Sequence, residues 1–271
     1  MEDRYVGDVG DFGKYGLLKA LCLPSEISGG PNLSLGVVWY LVPDESGSGD
    51  GKLTRYLKEV PENLEFYRSC DPGLYDSLRD IVCGDRRNVS AIRQKQILPP
   101  GTVFFEESLA FQARPGIGME ERDRRLADRS EWVRQALDQV TGCDLVFIDP
   151  DNGLSVDSTA KHHKRGPKFA FIDELSPYLE RGQSLVIYQH ISRRGTANSQ
   201  VDRWLSWLDS ELKGSVNPFA MMFHRGTARA FLIVPTQAHS DILFYRAEQL
   251  MQEGWGKHRH FTLHRLPVTV S

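Results

Sequence analysis

A strand that ends in a carboxylate and is stopped by proline is the feature of this sequence best suited to chemistry. Residues 145–148 read Leu-Val-Phe-Ile and run into Asp149, Pro150, Asp151, Asn152 and Gly153. In an open α/β sheet ligands lie beyond the carboxyl ends of the strands, so a carboxylate there points into a crevice. Pro150 stiffens the exit. Asn152 and Gly153 permit a tight turn that aims a backbone carbonyl or the Asn152 amide at a flat polar group. The same residues also suit an Asp-capped turn with no chemistry.

Three other places carry candidate groups. Tyr188, Gln189 and His190 end a second apolar run, and an imidazole there can accept a proton near neutral pH or simply cap a strand. Glu106 and Glu107 end a third, where one carboxylate could accept hydrogen bonds from ribose hydroxyls or mark a helix start. Near the front, Asp8, Asp11, Lys14 and Tyr15 are packed among glycines, a mixture suited to a phosphate or carboxylate contact and equally to an ordinary turn. The run from Lys161 through Arg165 to Lys168 is a candidate phosphate contact, or a solvated lid. The sequence therefore predicts one crevice lined by Asp149, Asn152, His190 and one of Glu106 or Glu107, closed from the side by Asp8, Asp11 and Lys14.

The elements that must position these residues follow from periodicity and punctuation. Residues 7–13 read as a glycine-broken loop before a short helix at 14–23. Residues 35–42 are apolar except for one glycine, as in a strand buried on both faces. The segment that follows, with Asp44, Gly47 and Gly49, has the glycines and hydroxyls a loop needs to approach a ligand. Helices with polar joints fill 52–98 as an insertion, including 53–60, 74–82 and 89–96. Then come a strand at 102–105, a helix at 119–140, the strand 145–148, a helix at 169–179, the strand 185–188 and a helix at 203–212. Strands at 219–223 and 228–234 flank Arg225-Gly226-Thr227 as an antiparallel hairpin, and a helix at 240–252 and a strand at 261–266 end the chain. The pattern predicts a single α/β domain over 1–271, with a doubly wound, mostly parallel sheet ending in that hairpin.

Composition narrows the class. Of 271 residues, 40% are hydrophobic and 25% charged, which suits one large globular core. The formal charge of −3 argues against a global nucleic-acid footprint but leaves room for a local anion site. Four cysteines without zinc-knuckle spacing fit a reduced, cytoplasmic compartment. The apolar runs are far shorter than the roughly 20 residues needed to span a bilayer, so no membrane partner is expected.

Taken together, these pieces resemble class I S-adenosylmethionine-dependent methyltransferases, and among them the bacterial family that methylates an adenine N6 in large-subunit ribosomal RNA. That family opens with Gly-Asn-x-x-Asp-x-x-Lys-His, matched here by Gly7 to Tyr15 with Asp8 for asparagine and Tyr15 for histidine. Its Asp-Pro-Pro-Tyr-type tetrapeptide falls on Asp149, Pro150, Asp151 and Asn152, of which the first two match. The resemblance implies a Rossmann-like methyltransferase fold and S-adenosylmethionine as cofactor, with its amino acid portion at 42–51 and its ribose at Glu106 or Glu107. It implies an acceptor at Asp149, and RNA or DNA as partner. Asp151 and Asn152 stand where that family has proline and an aromatic, so the acceptor is left open between a nucleic acid and a small molecule. Two other readings stand beside it. One is a metal-dependent nuclease or phosphohydrolase built on Asp149, Glu106, Asp44 and His190, although no spacing selects a metal. The other is a non-catalytic nucleic-acid-binding protein.

Overall fold

The protein was described from a computed structural model, which covers residues 2–24, 30–43, 51–84, 87–111, 118–155, 159–192, 195–252 and 254–266. After a 3-10 turn at Asp3–Tyr5 comes helix α1 (Val9–Cys22), then strand β1 (Leu35–Trp39). Between β1 and β2 (Val103–Phe105) the chain is helical, with α2 (Pro61–Asn63) running into a π turn, then α3 (Pro72–Cys83) and α4 (Val89–Gln94). The core continues with α5 (Met119–Gln139), β3 (Leu145–Asp149), α6 (Ile172–Glu180), β4 (Ser184–His190) and α7 (Ala197–Glu211). Strands β5 (Phe219–Phe223) and β6 (Arg229–Val234) follow, then α8 (Ser240–Gln252), α9 (Gly254–Lys257) and β7 (Phe261–Arg265).

The seven strands form one mixed sheet in the order β2-β1-β3-β4-β6-β5-β7. Strands β2, β1, β3 and β4 are parallel neighbours, so the three apolar runs expected to be parallel members of one sheet are so. Strand β6 is antiparallel to both β4 and β5, which returns β5 to the common direction, and β7 is antiparallel at the edge. The expected hairpin is present, inserted so that its second strand touches the parallel group. This is an α/β fold of broadly Rossmann-like form.

Both sheet faces are covered. Along β3, Leu145 and Phe147 join the core shared with α1, α3 and α8, while Val146 and Ile148 join the core shared with α5, α6 and α7. Period-2 alternation thus divides one apolar strand between two cores, which is why it reads as a continuous hydrophobic run. Among the described residues no helix is long and apolar enough to cross a membrane, and all four cysteines are free thiols.

Several elements differ from the sequence expectation; α7, for one, begins at Ala197 rather than at 203. Residues 53–60 hold only a single 3-10 turn, Arg55–Leu57. More important for the site, residues 9–13 are the opening turns of α1 rather than a loop. Asp8 caps that helix, its side chain accepting hydrogen bonds from the backbone N–H groups of Gly10 and Asp11. Glycine is a poor helix former, yet Gly10, Gly13 and Gly16 recur every third residue for a packing reason. A Cβ at Gly10 would strike the Arg229 guanidinium, one at Gly13 would lie 2.6 Å from the Phe223 ring, and one at Gly16 would enter the Trp255 indole. The bare stripe lets α1 lie directly on β5, β6 and α9.

This packing reverses the usual sign of a helix substitution. Propensity alone gives Gly16→Ala a gain of about 1 kcal/mol. Collision with the buried Trp255 predicts instead a loss of about 1–3 kcal/mol, read as a lower urea midpoint with unchanged slope. A stabilised Gly16→Ala would show that α1 does not sit as closely as described.

Candidate functional site

The parallel strands deliver their carboxyl ends to one edge of the sheet, and the start of α1 packs against that edge. Register places Trp39 of β1 opposite Asp149 of β3, and Val38 opposite Phe105 of β2. Glu106, one residue past β2, therefore stands level with Trp39 and Asp149, two strand spacings or about 10 Å from Asp149 along the backbone. His190 ends β4 and pairs with Arg229 at the start of β6.

At the centre is Lys14, reaching from α1 with its side chain almost wholly buried. Its ammonium lies 2.9 Å from Asp11 Oδ1 and 2.9 Å from Asp149 Oδ2. The rings of Trp39, Tyr15, Phe147 and Tyr188 surround it at 5.4–5.8 Å. Burial alone pulls a lysine pKa down, but the two carboxylates outweigh it and the Lys14 pKa is raised. For Asp149 the balance is reversed: burial raises its pKa and Lys14 offsets this only in part. Asp11 is held in turn by the Gly7 N–H, which donates to its second oxygen at 3.0 Å. Asp8 faces Arg229 at 3.5 Å, and burial raises its pKa more than Arg229 lowers it.

The exit from β3 is fixed by backbone contacts. The Asn152 N–H donates to Lys168 O at 2.8 Å, and the Leu154 N–H donates to the Gln189 side-chain oxygen at 2.7 Å. Gly153 has φ +87°, and a Cβ there would lie 2.5 Å from that same Gln189 oxygen. The turn can therefore close only over glycine. Lys168 pairs with Asp151 at 3.0 Å and with the buried Glu2 at 3.1 Å.

These groups wall a cavity of about 680 Å³. Of the residues singled out from sequence, Asp149, Pro150, Asn152, His190, Asp8, Asp11, Lys14 and Arg165 line it. His190 is held below the usual histidine range by burial and by Arg229, so it is neutral at pH 7. Tyr15 does not line the cavity; it is fully buried behind Lys14, and burial together with the Asp11 and Asp149 carboxylates pushes its phenol well up. Lys161 is directed elsewhere, to Asp173 and to Glu174 (3.3 Å) on α6, because those carboxylates are its immediate neighbours. Glu106 and Glu107 line a separate cleft of about 630 Å³ along the edge strand β2. There Glu106 meets Arg93 at 3.2 Å, while its other oxygen, Oε1, is buried with no hydrogen-bond partner. Asp44, Gly47 and Gly49 lie outside the described residues.

Sequence reasoning missed several members. Arg229 and Lys52 line the cavity, and the roles of Gln189 and Lys168 in clamping the turn after Asp149, though both residues were named, were not foreseen. Arg129 on α5 is buried against Glu174 in a two-pronged ion pair (2.6 and 2.8 Å) and donates to Gly166 O and Phe169 O, fixing the approach to Lys168. No local signal marks these residues, since each acts on a partner far away in sequence. Among the described residues no group of three or more His, Cys, Asp or Glu side chains is arranged to hold a metal ion. The place between Asp11 and Asp149 that a divalent cation would take is filled by the Lys14 ammonium. No protein-family profile, no curated protein and no solved structure matches the chain.

Replacing Lys14 tests this electrostatic centre. Lys14→Met leaves two buried carboxylates without their shared cation, a loss of about 3–5 kcal/mol at pH 7. The Asp149 pKa, already raised, rises further in the variant. A carboxyl whose folded pKa exceeds its unfolded value destabilises most when ionised, so the deficit should shrink as pH falls through the folded pKa. Urea titrations of both proteins between about pH 7 and pH 5 measure this; a deficit independent of pH would contradict it.

Proposed function

We propose that the protein transfers a methyl group from S-adenosylmethionine to an acceptor seated beside Asp149. The observation that carries this reading is the row of strand tips β2-β1-β3-β4, which bears Glu106, the exit toward the glycine-rich 44–51 segment, Asp149 and His190 in that order. The mostly parallel sheet with β6 reversed between β4 and β5 is compatible with the Rossmann-like fold that the sequence resemblance implies.

The residues fit such a cofactor in one specific respect. Glu106 Oε1, in the separate cleft along β2, is a buried acceptor lacking a donor; a ribose hydroxyl would supply one, with the cofactor reaching from that cleft past the tip of β1 to the Asp149 cavity. When bound, the cofactor provides an already activated methyl group on a sulfonium. The protein's contribution is then alignment and exclusion of water. Asp149, ion-paired with Lys14, and the Asn152 amide orient the acceptor. His190, neutral at pH 7, takes the proton that the acceptor nitrogen or oxygen gives up as the new bond to carbon forms. Filling of the Asp11–Asp149 site by Lys14 favours this reading over metal-dependent phosphate hydrolysis.

Isothermal titration with S-adenosylhomocysteine should give a one-to-one complex in the micromolar range, about −8 kcal/mol. Glu106→Ala should weaken it about ten-fold, and Asp149→Asn, which leaves Lys14 with Asp11 as its remaining carboxylate, should abolish turnover and lower the urea midpoint. Absence of binding at millimolar concentration, with a manganese-dependent rise in melting temperature and cleavage of RNA or DNA, would replace this reading by phosphohydrolysis.

A further inference from the structure

The charges around the cavity do not cancel evenly. Four carboxylates on its wall meet three cations from the same wall: Asp11 and Asp149 share Lys14, Asp151 pairs with Lys168, and Asp8 faces Arg229. Two further cations, Lys52 and Arg165, line the same cavity, and both are exposed. Neither has an ion-pair partner among the described residues. His190 adds no charge, since burial and Arg229 keep it neutral. The cavity thus presents ion-paired carboxylates in its depth and, where it meets solvent, two cations that have no ion-pair partner among the described residues.

A ligand that fits this pattern has a polar, weakly charged end for the interior and an anionic end for the mouth. Two cations match the double charge of a phosphate ester better than the single charge of a carboxylate, and the Arg165 guanidinium offers a planar fork to phosphate oxygens. A volume of about 680 Å³ lies within the range of sites for ligands of nucleotide size. We propose that the cavity takes a phosphate-bearing acceptor, with the phosphate on Lys52 and Arg165 and the methyl-accepting end at Asp149 and Asn152. The second half rests on the methyl-transfer reading; the phosphate seat does not. The phosphate belongs either to a free nucleotide or to a nucleic-acid strand: both offer phosphate oxygens to the same two cations, but only the monoester carries the double charge, so the charge match favours the free nucleotide.

The test is titration of the full chain with the four nucleoside 5′-monophosphates, the corresponding nucleosides, and a short single-stranded RNA. At least one monophosphate, or the RNA, should bind about ten-fold or more tighter than every nucleoside, with the advantage shrinking as salt is raised. Lys52→Gln and Arg165→Gln should each remove most of that advantage while leaving the affinity for S-adenosylhomocysteine unchanged. Loss of RNA binding alone in the variants assigns the phosphate to a strand, and loss of monophosphate binding assigns it to a free nucleotide. Nucleosides binding as well as their phosphates, with no RNA binding, would overturn the proposal, as would a phosphate advantage that both variants retain. Failure of S-adenosylhomocysteine to bind would remove the methyl-transfer reading without deciding the phosphate seat, which is read from the other titrations.

Discussion

An ammonium group buried among four aromatic rings has to be compensated, and Lys14 is compensated by two carboxylates from different parts of the chain. Desolvating such a charge costs several kcal/mol, so the group persists only where partners are held close and in good geometry. Asp11 comes from the same helix one turn away, and Asp149 comes from the end of β3. The pair therefore ties the start of α1 to the carboxyl edge of the sheet, at the level where Trp39 and Asp149 face each other in register. The ring faces add cation–π attraction in a site with little water to compete.

Much else follows from that tie. For Lys14 to reach Asp149, α1 must lie low on β5 and β6, which its glycine stripe allows. The close approach brings the Asp8 cap to Arg229, and Arg229 in turn stands beside His190 and adds to the burial that lowers its pKa. On the other side, Gln189 and Lys168 hold the turn after Asp149 so that Pro150 and Asn152 face the cavity. The cavity is thus bounded by groups whose positions are each fixed by a partner, and its exposed cations are the part left to meet a ligand.

The sequence made the sheet and its working edge readable because both depend on local pattern. An apolar strand ending in Asp149-Pro150 and another ending in Gln189-His190 announce their own ends, and the hairpin around Gly226 announces its own reversal. Residues 9–13 misled because glycine frequency signals a break only when nothing packs against it; here Arg229 and Phe223, more than 200 residues away, take the space. The basic run 161–168 misled for a related reason. Adjacent charges suggested one shared role, but Asp173 and Glu174 take Lys161, Asp151 and Glu2 take Lys168, and only Arg165 faces the cavity without an ion partner among the described residues. Glu106 was legible as a strand tip, while the Arg93 contact that directs it toward the β2 edge was not.

At the centre of the molecule, attraction from Asp11 and Asp149 outweighs the burial of Lys14. Nitrogen-detected NMR of the lysine side chains, with the Lys14 signal assigned by its loss in Lys14→Met, reads this without reference to any ligand. The account predicts that the Lys14 ammonium signal persists to about pH 11, beyond the point where the other lysines titrate near about 10.4. If burial dominated instead, the amine would lose its proton well below that, by about pH 9, and the central ion pair would be contradicted.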